Sequence, residues 1–166
     1  MKTDIYIAGE INEEAFVSFS KKLAYQERAA KSNKTVNVML MSSGGDADVA
    51  LAFLDRMESS HLEICVTATG YVASAAIMIL AAGDKRRMTK SSWAMVHEEA
   101  IEGLDGDKVS SLENTIRAFR RKEDHWSAIL GRLTTTNMSR WEELHKKETY
   151  LSPEECLALG LIEEIV

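Results

Sequence analysis

The stretch ATGYVASAAIMILAAGDK, residues 68–85, holds one serine, Ser74, among small and apolar residues. A run this apolar belongs in a core, and a hydroxyl within it needs a hydrogen-bond partner or an opening to face. Gly70 closes the strand-like segment before it. Ser74 lies four residues on, in or near the first turn of the helix that follows. There the unpaired N–H groups and the helix dipole stabilise negative charge. An oxyanion forming on a substrate attacked by Ser74 would be held well at that point. The same position also suits a serine that simply caps the helix.

The flanking sequence alternates strands and helices. DIYIAG (4–9) predicts a strand that ends at a glycine. Asn12 is placed to cap a helix with Phe16, Phe19, Leu23 and Tyr25 near one face. TVNVMLM (35–41) predicts a second strand, which runs into SSGGDAD. A helix follows, with Val49, Phe53 and Met57 at four-residue spacing. EICVTATG (63–70) predicts a third strand, and SWAMVH, ending at His97, another. From 107 to 133 the pattern becomes one long amphipathic helix. A short helix over 139–145 and the unit SPEECLALGLIEEIV complete the chain. In that unit Ser152 caps, Pro153 takes the first helical position and Gly160 ends the helix. The expectation is one α/β domain, residues 1–166, with a helical arm after Gly106.

Composition narrows the function. Of the 166 residues, 45% are hydrophobic and 28% charged, as in a globular domain with a sizeable core. The net charge of -6 and the lack of a basic patch interleaved with aromatics speak against a nucleic-acid reader. RAFRRK (117–122) reads as a solvated helix face. Cys65 and Cys156 stand apart in apolar surroundings and read as buried free thiols. No CxxC or HExxH occurs, so neither a metal nor another cofactor is expected. The longest apolar run is too short to span a bilayer, and MKTDIYIAGE lacks a signal-peptide core. A cytoplasmic, reducing compartment and no membrane partner are the expectation.

A nucleophilic serine needs a base. His97 ends a strand where apolar residues give way to EEAIEG, and strand ends carry site residues in α/β folds. His61 falls in a polar turn, and His125 and His145 in charged helices, so surface placement is expected for all three. The glycine pair of MSSGGDA frees the backbone to turn sharply and expose N–H groups, or simply makes a tight turn into the helix.

Four segments taken together, SSGGDADVALAFLDRM, GYVASAAIMILAAGDKRRM, SWAMVH and ETYLSPEECLALGLIEEIV, resemble the ClpP serine endopeptidases in the same order along nearly the whole chain. The family's serine box looks like GMAASMGSFLLAAG, and GYVASAAIMILAAG is similar to it without a gap. The resemblance implies a ClpP/crotonase-like superhelix of repeated strand–helix units with a protruding long helix after the histidine. It places Ser74 on the nucleophile, His97 on the general base and Glu148 on the acid of the triad, where the family usually has aspartate. It implies an oxyanion hole from the backbone N–H groups of Gly45 and Ala75. Peptides or unfolded proteins would be cleaved inside a homo-oligomeric chamber, two stacked heptameric rings by resemblance, joined through the helix over 107–133.

Two departures stand beside the resemblance. The segment after His97, EEAIEGLDG, lacks the proline and paired glycines that family members carry there. Members that work with an ATPase have an extra stretch before the first strand, forming loops at the pore. This chain starts at the strand, so a stable complex with a Clp-type ATPase through such loops is not expected. Rival readings are a phage-type capsid-maturation protease of the same fold, a crotonase-type acyl-CoA enzyme, an inactive ring subunit, and a Ser–Lys dyad using Lys85 or Lys90.

Overall fold

The computed structural model describes residues 4–29, 34–99 and 108–166. The chain runs β1 (Ile5–Ile11), α1 (Glu13–Ala29), β2 (Thr35–Gly45), α2 (Ala47–Glu58), β3 (Glu63–Ala73), α3 (Ala76–Ala81), β4 (Lys85–Met88), β5 (Trp93–Val96), α4 (Val109–Leu133), α5 (Met138–His145), β6 (Thr149–Leu151), α6 (Pro153–Ala158) and β7 (Glu164–Ile165). The α/β class and the strand–helix plan are as expected. The expected helix start at Asp107 lies outside the described residues, as does most of the segment EEAIEGLDG.

One sheet carries the strands in the order β1-β2-β3-β4-β7, all parallel, with β5 and β6 branching from β3. The branch is made within β3 itself. Its first half, Cys65 to Ala68, pairs with β4, and its second half, Tyr71 to Ala73, pairs with β5. Gly70 sits between them at φ 66, a left-handed turn that a side chain would resist. The glycine therefore bends the strand where the sequence predicts that it ends. β6 then adds antiparallel to β5, with Val96 opposite Thr149.

The strands are patterned for their neighbours. β2 alternates buried positions with more exposed ones, while β3, central in the sheet, buries Ile64, Cys65 and Val66 in succession. All six residues of α3 are buried against α2, β2 and β3. On the other side of α2, Phe53 meets Phe19 at 5.1 Å and Phe16 at 5.4 Å between ring centroids. Fully burying a side chain such as Phe53 stabilises by about 1.5–3 kcal/mol. Tyr25, expected on the apolar face of α1, is 63% exposed instead. The expected caps are in place: Asn12 Oδ1 accepts from Ala15 N–H, and Ser152 and Glu155 form a reciprocal capping box.

Helix α4 has 25 residues, roughly 37 Å at the usual rise. It buries only Ser127, Ile129 and Leu130, in its last third, where α5 packs on it. Its first half stands proud, with Val109 72% and Ile116 41% exposed. Both cysteines are free and buried, and burial pushes the Cys156 thiol up to about 12, which removes it from nucleophilic chemistry at neutral pH. Among the described residues no helix is long and apolar enough to cross a membrane.

Candidate active site

Ser74 occupies the turn between β3 and α3 at φ 54, one of two non-glycine residues at positive φ among those described. The left-handed conformation costs a side-chain-bearing residue about 1–2 kcal/mol. It is held there on both sides: Ser74 N–H donates to the Met95 carbonyl at 2.9 Å, and the Ser74 carbonyl accepts from Ile77 N–H at 3.0 Å. The reading of Ser74 as a helix cap is corrected by this geometry. The N-cap of α3 is Ala75, with no side-chain capping bond. Ser74 stands just outside the helix on a strained strand-to-helix turn, the arrangement that lifts a nucleophilic hydroxyl clear of its backbone.

The glycine pair at the end of β2 fits around that turn. Gly44 has φ 105, and a Cβ there would sit 2.6 Å from Ser74 Cβ and 2.9 Å from the Ala73 carbonyl oxygen. Gly45 has φ 148, and its Cβ would lie 2.3 Å from the Ile11 carbonyl oxygen. One glycine thus allows β2 to touch the serine turn, and the other allows it to touch β1. Ser42 Oγ accepts from Gly44 N–H at 3.0 Å, and Asp46 caps α2 immediately after the pair.

A cavity of about 280 Å³ opens beside Ser74. Gly45, Ala75 and His97 line it together with Ser74, so four of the five residues singled out from the sequence meet at one place. His97 arrives there because β5 ends at Val96. Glu148 precedes β6, and the Val96–Thr149 pairing sets it beside His97 across the two strand ends. Its side chain takes a different course. Glu148 is exposed at φ 47, accepts a hydrogen bond from the Tyr150 hydroxyl at 3.3 Å, and is not among the cavity's lining residues. Lys85 pairs with Glu63 at 3.0 Å in β4, and neither Lys85 nor Lys90 lines the cavity, which leaves a Ser–Lys dyad without a base.

His145 corrects the surface placement expected for it. It is 4% exposed and lines the same cavity, while His61 and His125 are exposed. Its Nδ1 lies 3.3 Å from Ser127 Oγ, and its carbonyl accepts from the N–H groups of Glu98 and Glu148. The charged helix around it, RWEELHKK, signals a surface; only the passage of α4 overhead makes it an interior position. Burial, with repulsion from His97 as a smaller contribution, pushes its pKa from 6.5 down to about 4. The unfolded chain therefore takes up a proton near pH 6.5 that the folded chain resists until about pH 4. Stability is complete above the unfolded value and declines as pH falls through that window, by up to about 3 kcal/mol from this group. Urea unfolding at about pH 7 and about pH 4.5 checks this. His145→Gln is expected to lose less stability over the interval than the parent, and an equal loss would contradict it.

A family model described as Clp protease matches residues 1–166. Curated relatives include ATP-dependent Clp protease proteolytic subunits from Dehalococcoides mccartyi, 26% identical over 98% of this chain and 80% of that protein, and a proteolytic subunit 3 from a Synechococcus species, 25% identical over 98% and 81%. A solved structure of a ClpP1 point mutant from Listeria monocytogenes superposes with a TM-score of 0.88 at 24% identity, covering 98% of this chain and 90% of that one. The chain belongs to the Clp protease family. It is a serine endopeptidase of ClpP-like fold, and the crotonase-type reading falls away.

Proposed function

We propose that Ser74 is the nucleophile and His97 the general base of this peptidase, with residues 1–166 working as one protease domain. The observation that carries the reading is the strained Ser74 turn sharing one cavity with His97, Gly45 and Ala75. Ser74 Oγ attacks the scissile carbonyl carbon as His97 takes its proton. The carbonyl oxygen becomes anionic and is held by the backbone N–H groups of Gly45 and Ala75. Collapse of this intermediate breaks the C–N bond, and His97 gives the proton to the leaving amine. Water, activated by His97, then attacks the acyl ester and releases the new carboxyl end and Ser74. The substrates are short peptides or unfolded segments, admitted to a chamber formed by copies of this chain.

Glu148 is the proposed third member. Its backbone lies beside His97, and a side-chain rotation away from Tyr150 would let it accept the imidazole N–H. Losing an orienting carboxylate in such a triad costs on the order of 10⁴ in turnover. Glu148→Gln is therefore expected to slow hydrolysis of a fluorogenic peptide strongly, and Glu148→Asp to keep part of it. Turnover of Glu148→Gln within a few-fold of the parent's would mean that another group orients His97.

Assembly belongs to the same reading. Val109 and Ile116 are exposed on the first half of α4, with Leu112 and Phe119 half-buried at helical spacing beside them, and this stripe suits contact with a neighbouring copy. Two stacked heptameric rings are the proposed form, in the cytoplasm, with a Clp-type ATPase as a separate question for degradation assays. Light scattering at micromolar concentration should give the mass of a large homo-oligomer; a monomer mass would count against the chamber. Hydrolysis of an unstructured peptide, blocked by a fluorophosphonate, tests the activity itself.

A further inference from the structure

The cavity beside Ser74 has an apolar wall and a charged rim. Leu51 of α2, Val96 of β5 and Trp126 of α4 provide the apolar wall. Asp48, Glu99, Lys122 and Glu123 provide the charges, three carboxylates against one ammonium. The ammonium is already matched, because Lys122 Nζ bonds Asp48 Oδ2 at 2.7 Å and ties α4 to α2. Glu123 is fixed in place by accepting the Glu99 N–H at 2.8 Å. Among the described residues, then, two carboxylates converge on the cavity without an ammonium of their own. The Glu99 carboxyl registers this: burial pushes its pKa up, Lys122 counters in part, and Glu123, Asp48 and Asp46 push it up further.

Resting on the assignment of Ser74 as nucleophile, we propose that this cavity receives an arginine or lysine side chain of the substrate, next to the bond that is cut. The methylene stem lies along Leu51, Val96 and Trp126, and the cationic head meets Glu99 and Glu123. Long basic side chains combine an apolar stem with a charged tip, and this cavity combines the matching surfaces. A guanidinium suits it best, since it can meet two carboxylates at once and stack on an indole. An acidic side chain in the same place would meet like charge in a partly desolvated site and be rejected.

The test uses three peptidyl diphenyl phosphonates that differ only in the side chain beside phosphorus: arginine, leucine or glutamate. A small fluorophosphonate without a peptide serves as reference. In each case the serine oxygen bonds phosphorus and the leaving group departs, so the rate is read by intact mass. The arginine probe is expected to label the assembled protein fastest and the glutamate probe slowest. Glu99→Gln should reduce the arginine-to-leucine rate ratio about threefold, the effect of losing one charge pair on an exposed rim. Glu99→Lys should favour the glutamate probe over the arginine probe. Equal rates for arginine and leucine in the parent, or an unchanged ratio in Glu99→Gln, overturn this inference while labelling by the small reagent leaves the nucleophile standing. Failure of the small reagent to label Ser74 overturns the nucleophile assignment and this inference with it.

Discussion

Ser74→Ala is expected to end peptide hydrolysis, with turnover falling by about 10⁶-fold, as removal of the nucleophile does in other serine peptidases. The variant should keep the parent's oligomeric mass, because the Ser74 hydroxyl is a member of the cavity wall and not of the core. A companion variant separates function from strain. Ser74→Gly is equally inactive, but glycine adopts φ 54 without the steric cost that alanine or serine carries there. Its thermal midpoint is expected to exceed that of Ser74→Ala, and it is the cleaner control for stability. Hydrolysis by Ser74→Ala at a rate near the parent's would remove the serine from the mechanism.

Gly44→Ala and Gly45→Ala are expected to be strongly damaging, because each glycine sits where two backbone segments touch. A Cβ at Gly44 meets Ser74 Cβ at 2.6 Å and the Ala73 carbonyl oxygen at 2.9 Å, so β2 and the serine turn must separate. A Cβ at Gly45 meets Ile11 backbone atoms at 2.3 and 2.8 Å, so β1 must yield as well. Neither obstacle is the far end of a flexible side chain, and both positions also have positive φ. The overpacking alone costs about 1–3 kcal/mol, and the backbone strain adds to it. Gly44→Ala should fold with a lowered midpoint and lose fluorophosphonate labelling, because the displaced turn carries the proposed nucleophile. Gly45→Ala should lose more stability, since its added carbon meets backbone alone. Parent-like midpoints in both would contradict the close approach of β1, β2 and the Ser74 turn.

Much of this candidate site was legible in the sequence because its features are local. Ser74 is marked by its place between a strand and an apolar helix, Gly44 and Gly45 by their adjacency after a strand, and His97 by the change from apolar to polar at a strand end. The caps at Asn12 and Ser152 were legible for the same reason. What escaped depends on partners distant in sequence. β3 passes through Gly70 because β5 is there to pair with its second half, and a glycine alone reads as an end. β4, KRRM, has no strand pattern; its pairing with β3 and β7 and the bond from Arg86 to the Leu133 carbonyl hold it in place. His145 looks like a surface residue until α4 covers it. Glu148 has a backbone φ of 47 and accepts from the Tyr150 hydroxyl, and no local pattern announces either.

Ser74 is the proposed reactive hydroxyl of this Clp protease. The most direct measurement is labelling of the assembled protein with a fluorophosphonate, followed by proteolytic mapping of the modified residue. The expected result is a single adduct on the peptide containing Ser74, with peptide hydrolysis lost in proportion to labelling and no adduct in His97→Ala. An adduct on another residue, or full labelling with hydrolysis intact, would contradict it.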